Sequence, residues 1–368
     1  MDDEPELRRD PVTGRWVLIA PERANRPIAL TGANPRHRTD GERVPCPFCA
    51  GQEHDTPDET FAIRAPGSPP NGPGWRLRVV PNKFPAVRPN AAAAPPVGTP
   101  GPMGARGLLD DEAYRPPRGV PDEHPLFNSA PAIGFAEVLI DCPEHVDDPT
   151  QLSDEQLRDV FRAYRERMIA LAADPRLAHV AVFKNVGAEA GASLGHTHSQ
   201  LVATPVVPAL LRSELTGAEA YTARTGRCVF CDLIEEDAAD GARVVARSAN
   251  FVAVTAFAPR FAYEMWVLPT RHESRYEALT DAAALELAAL LKRVLRALDV
   301  VGHAPAYNWF LHTAPLNADE LPHYHWHLEI LPRTARPAGL EWGFGCHITT
   351  TAPERAAAEL RAALAPAE

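Results

Sequence analysis

No stretch of the 368-residue chain approaches the ~18 uninterrupted apolar residues that a membrane-spanning helix needs. Positive charge is in deficit: 37 Lys and Arg stand against 48 Asp and Glu, for a formal net charge of −11. A surface that tracks nucleic-acid phosphates needs clustered cations, so this balance argues against a nucleic-acid partner and leaves room only for a small basic pocket. The start, Met1-Asp2-Asp3-Glu4, lacks the cationic–apolar pattern of a secretory signal. These absences lead to the expectation of a cytoplasmic protein with no membrane partner. Cysteine is scarce, six residues in all, and four of them form two C-x-x-C pairs, Cys46/Cys49 and Cys228/Cys231. In a reducing compartment such pairs read as metal ligands in preference to disulfides. Cys142 and Cys346 stand alone and read as small buried apolar residues. Proline is in excess at 38 residues, against a usual share of ~5%. Much of it falls in 64–74 and 86–121, which read as stiff surface connectors.

The length predicts about two domains, and the order of features repeats. CPFC at 46–49, the strand-like FAEVLID at 135–141 and His145 are matched by CVFC at 228–231, AYEMWVLP at 262–269 and His272. Each His precedes a helix start, at Ser153 and at Thr280. Ser153 with Gln156 makes a capping box, and Thr280 is a weaker equivalent. Leu157, Val160, Phe161, Tyr164, Met168 and Leu171 recur at helical spacing, as do Leu287, Leu290, Leu291, Val294, Leu295 and Leu298. Strands at 179–185 and 307–313 follow, and then His-x-His at 196–198 and 325–327. The expected fold is α+β: two duplicated halves, 1–205 and 206–368, each a mostly antiparallel sheet with a long packed helix. Residues 206–227 read as the link between them.

Zn²⁺ favours four tetrahedral Cys and His ligands. The repeat nominates Cys46, Cys49, His145 and His196 in the first half, and Cys228, Cys231, His272 and His325 in the second. Neither set leaves an open position, so both predict structural zinc. A shared four-cysteine site is the competing arrangement, and it would leave the matched histidines unexplained.

In an extended segment alternate side chains share a face, so His196, His198 and Gln200 point the same way. His196 goes to the metal and leaves the His198 imidazole free. A neutral imidazole nitrogen can attack an α-phosphorus and form a covalent nucleotidyl-histidine. Gln200 can donate to a non-bridging phosphate oxygen as charge develops there. Ser193 and the glycines at 187, 191 and 195 allow close backbone approach to phosphates. In the second half His327 stands where His198 does, but Glu329 replaces the Gln. An acceptor-only carboxylate repels phosphate, so the second half is expected to be catalytically silent.

The segments DPVTGRWVLIAPERANRP (10–27), CPFC, VVPNKFPAV, FAEVLIDCPEH, VFKNVGAEAGASLGHTHSQ and HYHWHLEILPR run in one order over nearly the whole chain. In them the chain resembles the type 1 galactose-1-phosphate uridylyltransferases of the histidine-triad superfamily, together with the related nucleotide-sugar phosphorylases. The resemblance implies histidine-triad-like halves and transfer of UMP from UDP-glucose to a hexose 1-phosphate by double displacement. It places the nucleophile on His198 and phosphate contacts on Gln200 and Ser193. Further nucleotide contacts fall on Arg23, Arg26, Asn82, Phe84, Asn185 and Gly191. It also implies a homodimer whose partner completes the sugar side of the pocket. Some members bind a second metal through a Glu and three His, for which Glu214, His312, His325 and His327 would serve here. Thr197 stands where common uridylyltransferases carry Pro, and the second C-x-x-C and the tail GLEWGFGCHITTTAPE (339–354) look more like the phosphorylase branch, which uses inorganic phosphate as acceptor, on ADP-glucose. In that tail Gly339, Phe344 and Gly345 replace the Lys, Tyr and Glu that typical uridylyltransferases direct at the sugar. A zinc-stabilised nucleotide-binding protein without turnover is the non-enzymatic alternative.

Overall fold

A computed structural model describes residues 6–19, 46–89, 132–316 and 318–364. The order of elements follows the repeat. The first half supplies β3 (Phe61–Arg64), β4 (Trp75–Pro81), β5 (Phe135–Ile140), α1 (Asp154–Ala172), β6 (His179–Val186) and β7 (His198–Thr204). The second supplies β8 (Val244–Arg247), β9 (Phe251–Thr255), β10 (Met265–Pro269), α4 (Asp281–Gly302), β11 (Tyr307–His312) and β12 (His327–Pro332). The predicted capping box closes α1: Ser153 Oγ accepts from Gln156 N, and the Gln156 side chain accepts from Ser153 N. Thr280 Oγ1 caps α4 by accepting from Ala283 N.

The two half-sheets join into one ten-stranded sheet, in the order β3-β4-β5-β7-β6-β11-β12-β10-β9-β8. The join is the antiparallel pairing of β6 with β11, in register from Tyr307 opposite Val186 to Leu311 opposite Val182. The order on one side of this seam mirrors the order on the other, as a duplication requires. Both predicted apolar stripes are buried, and α1 and α4 pack together beneath the sheet in one continuous core. Each fully buried aliphatic side chain there contributes about 1.5–3 kcal/mol.

The opposite face of the sheet is covered unequally. Residues 206–227 do more than link the halves: they contain α2 (Ala209–Thr225), followed by α3 (Val229–Asp240). Leu211, Leu215 and Ala218 supply the buried stripe of α2, and Gly226 ends it at φ 73°. Gly217 lies where a Cβ would be 1.7 Å from the Val12 carbonyl oxygen, so only glycine lets α2 meet the turn after β1 (Glu6–Arg9). Together α2 and α3 close the second half over Val252, Val254, Trp266 and Leu268. On the first half the corresponding apolar patch is Trp75, Val80, Val138 and Ile140, with Phe48 packed on it. Among the described residues no helix covers that patch. A small separate sheet pairs β1 with β2 (Trp16–Ile19), and β2 with β13 (His347–Thr349) in parallel. A short α5 (Gly339–Phe344) precedes β13, and the C-terminal α6 (Pro353–Leu364) buries Ala356, Ala357 and Leu360.

Candidate active site and metal centres

β7 begins at His198, so His196 lies in the loop before it. The two imidazoles consequently do different work. His196 Nδ1 is 3.7 Å from Cys46 Sγ and 3.6 Å from Cys49 Sγ, and Cys49 Sγ is 3.4 Å from His145 Nδ1. A tetrahedron with Zn–S of ~2.3 Å and Zn–N of ~2.0–2.1 Å has edges of roughly 3.6 Å. The donor set and its spacing therefore fit Zn²⁺. The far nitrogen of His196, Nε2, donates to the Cys142 carbonyl at 2.9 Å, which fixes the ring so that Nδ1 is the ligand atom. Burial pushes His196 down to about 4, so its imidazole is neutral.

The second half repeats this arrangement. Cys231 Sγ is 3.5 Å from His272 Nδ1 and 3.8 Å from His325 Nδ1. His325 Nε2 donates to the Pro269 carbonyl at 2.9 Å. Cys228 completes the group, whose donor atoms all lie within 4.8 Å of one another. The geometry thus puts His325 with the thiols. Glu214, His312 and His327 gather separately, with Glu329 as the fourth member. Positive charge already sits in that second group: Arg260 pairs with Glu329, and His312 with Glu214 at 3.0 Å. Burial opposes the charged form of His312, but Glu214 and Glu329 outweigh it and push its pKa up to about 9.

His198 Nδ1 lies 2.8 Å from the His196 carbonyl oxygen. A carbonyl only accepts, so Nδ1 carries the proton and Nε2 carries the lone pair. Burial, reinforced by the nearby Lys184 cation, holds His198 below its ordinary pKa and keeps the ring neutral. The Phe48 ring meets it edge-on at 5.3 Å. His198 and Gln200 share the face of β7 turned away from α1, and Ile140 and Val138 lie opposite them on β5. Asn82 donates through its backbone to Ala136 O at the end of β5, and its side chain holds the turn to Phe84, which is 85% exposed. Asn185 continues the row across β6. Gly191 and Ser193 lie in the loop from β6 to β7, where Gly187 and Gly191 take φ of 85° and 88°. Arg23 and Arg26 lie outside the described residues.

A buried ion pair beneath His198 was not foreseen. Lys184 and Asp141, 1% and 0% exposed, pair on the helix side of the sheet. Lys184 Nζ also donates to the His198 carbonyl at 3.0 Å, and Thr197 Oγ1 donates to Asp141 at 2.9 Å. Tyr164 of α1 donates to Ser199 at 2.6 Å. The group therefore grips the backbone on both sides of His198. The signal was present in the sequence: Lys184 occupies the strand phase that Val180, Val182 and Val186 turn to the core. Lys184→Met should leave Asp141 buried without a counter-ion and cost about 3–5 kcal/mol. The check is the urea unfolding midpoint, which Lys184→Met/Asp141→Asn should largely restore. An unchanged midpoint in the single variant would show that the pair carries no stability.

The counterpart of His198 is sealed. His327 Nδ1 donates to the His325 carbonyl at 3.1 Å, as His198 does to His196. Phe230, Trp266 and His312 rings surround His327 at 5.0, 5.2 and 5.0 Å. Its exposure is 0%, and Arg260 already occupies Glu329.

Residues 107–208 match the family profile described as galactose-1-phosphate uridyl transferase, N-terminal domain, and residues 214–361 match its C-terminal domain. An ADP-glucose phosphorylase from Arabidopsis thaliana is 34% identical over 362 residues, covering 98% of this chain and 93% of its own. The galactose-1-phosphate uridylyltransferase of Thermotoga maritima is 23% identical, covering 97% and 98%. The crystal structure of an Arabidopsis thaliana ADP-glucose phosphorylase with bound ADP-glucose superposes with a TM-score of 0.77 at 33% identity, covering 97% and 99%. A uridylyltransferase structure superposes with a TM-score of 0.69 at 29% identity, covering 98% of each chain. No described helix is long and apolar enough to cross a membrane. With both family profiles matched in order and a relative one-third identical along nearly its whole length, the chain belongs to the galactose-1-phosphate uridylyltransferase family.

Proposed function

We propose that the protein is a nucleotide-sugar phosphorylase that transfers a nucleotidyl group through His198, with ADP-glucose as the leading substrate. One observation carries the reading: an imidazole outside both thiol clusters, its Nδ1 proton held by the His196 carbonyl so that the lone pair is on Nε2, on the face of β7 turned away from α1. Nε2 attacks the α-phosphorus, the bond from that phosphorus to the bridging oxygen breaks, and glucose 1-phosphate leaves. An oxygen of inorganic phosphate then attacks the same phosphorus and releases His198 and a nucleoside diphosphate. Gln200 donates to a non-bridging oxygen in both steps. The His196 carbonyl holds the positive charge that builds on the ring. Zinc, when bound, ties Cys46, Cys49, His145 and His196 together; all four of its positions are used by protein, and it serves as an anchor for β7. In this reading residues 1–205 carry the chemistry. Residues 206–368 are silent, because His327 is sealed and Glu329 is paired.

The phosphorylase among the relatives supports phosphate as acceptor, as do Gly339, Phe344 and Gly345 in place of polar sugar contacts. The second reading, UDP-glucose–hexose-1-phosphate uridylyltransferase, is favoured by the uridylyltransferases that also match. Trp342 and Phe344, 79% and 82% exposed, support a homodimer that covers them. Incubation with ADP-glucose and phosphate should release ADP and glucose 1-phosphate. Turnover only with UDP-glucose and a hexose 1-phosphate would replace this reading with the second.

A further inference from the structure

We propose that Asn308 and Arg333, both in the second half, set the orientation of Asn185 so that its amide N–H faces the phosphates of the substrate. The proposal rests on the reading that those phosphates lie at His198 and the loop after β6.

The polarity follows from a chain of three hydrogen bonds. Arg333 Nε donates to Asn308 Oδ1 at 2.7 Å. A guanidinium has no acceptor, so this end of Asn308 is fixed as its carbonyl. The amide nitrogen of Asn308 then donates to Asn185 Oδ1 at 2.7 Å and to the Ala190 carbonyl at 2.8 Å, which uses both of its hydrogens. Asn185 must therefore turn its oxygen toward Asn308 and its nitrogen away. The nitrogen faces the loop: a Cβ on Gly191 would lie 3.8 Å from it. Among the described residues no hydrogen bond uses Asn185 Nδ2.

The surroundings make the chain rigid. Asn308 is 3% exposed and stands directly opposite Asn185 across the β6–β11 seam. Lys184 pairs with Ser199 across β6 and β7, which brings Asn185, one residue on, beside His198. The Arg333 guanidinium sits 5.3 Å from the centre of the Phe261 ring. The second half, sealed at His327, thus contributes to the other half's site by fixing a donor where an anion binds. An acceptor in that place would repel the phosphates.

The test is equilibrium binding of ADP-glucose in a His198→Gly background, where no turnover occurs, with adenosine as the probe that lacks phosphates. Arg333→Met frees the Asn308 amide to flip and should weaken ADP-glucose binding by about tenfold. Asn308→Asp can only accept from Asn185, turns the Asn185 oxygen toward the ligand and should cost more than that. Adenosine affinity should stay unchanged in both. Arg336, 72% exposed and paired with Glu189 of the same loop, is the charge control. Arg336→Met removes an equal charge and should change ADP-glucose affinity by less than about twofold, whereas Arg333→Lys, which keeps a donor but loses the stacking on Phe261, should lose less than Arg333→Met. Equal losses in Arg333→Met and Arg336→Met, or parallel losses of adenosine, would overturn the relay alone. Absence of binding of either ADP-glucose or UDP-glucose to the His198→Gly parent would overturn the functional reading, and the relay with it.

Discussion

His198→Gly should abolish the covalent nucleotidyl adduct and lower turnover on the order of 10⁶-fold, the scale on which loss of a catalytic nucleophile acts. The fold should survive. The imidazole lies on the face of β7 turned away from α1, where the Phe48 ring is its edge-on neighbour, and the residues packed toward α1 are Ser199, Leu201 and Ala203. Glycine within a strand costs about 0.5–1 kcal/mol. Unfolding should shift little and zinc content should stay the same. Intact mass after mixing with ADP-glucose and, separately, UDP-glucose reads the adduct and names the nucleotide by its added mass. An adduct that persists in His198→Gly would move the chemistry to another residue.

Cys46→Ser should act in the opposite sense, on stability first and chemistry second. Structural zinc contributes about 10–16 kcal/mol of binding free energy in small zinc-folded peptides. Losing one thiolate should lower bound zinc by one ion per chain and the unfolding temperature by about 10 °C or more. It should also slow adduct formation, because His196 belongs to the Cys46/Cys49 cluster and, through its carbonyl, holds the Nδ1 proton of His198. Cys228→Ser gives the contrast. It removes a zinc ligand of the second half, far along the sheet from β7, and should reduce zinc and stability with a smaller effect on adduct formation. Zinc content and melting temperature that both match the parent in Cys46→Ser would refute the first site.

The orphaned pieces of the second half have a common physical cause. A duplicated site that no longer needs to admit a ligand can be filled, and filling it stabilises the fold. Phe230 on α3 and Trp266 on β10 do this directly over His327. Glu329, a poor residue for phosphate, becomes a good partner for Arg260 in the same buried space. The Glu329–Arg260 pairing and the packing that closes the space over His327 are therefore mutually consistent with the proposed silence of the second half.

Much of this protein is local, and the local part was legible. Helical stripes in α1 and α4 and the caps at Ser153 and Thr280 depend on near neighbours along the chain, so period in the sequence determined them; the Cys and His clusters join residues up to 150 apart and were legible because the order of features repeats. The separation of His196 from His198 is also a two-residue matter, although where β7 starts is not. What only the tertiary structure decided involves partners far apart in sequence. No period encodes the β6–β11 seam, which pairs Asn185 with Asn308 and merges two sheets into one. The amphipathic face of α2, read as a connector, matters only once β9 and β10 present a surface to cover. Lys184, in the core phase of β6, and Asp141, just past the end of β5, are individually out of place in the core and stabilise the site only as a pair. A charge or an amide takes its meaning from the group it faces, and which group that is depends on the assembled sheet.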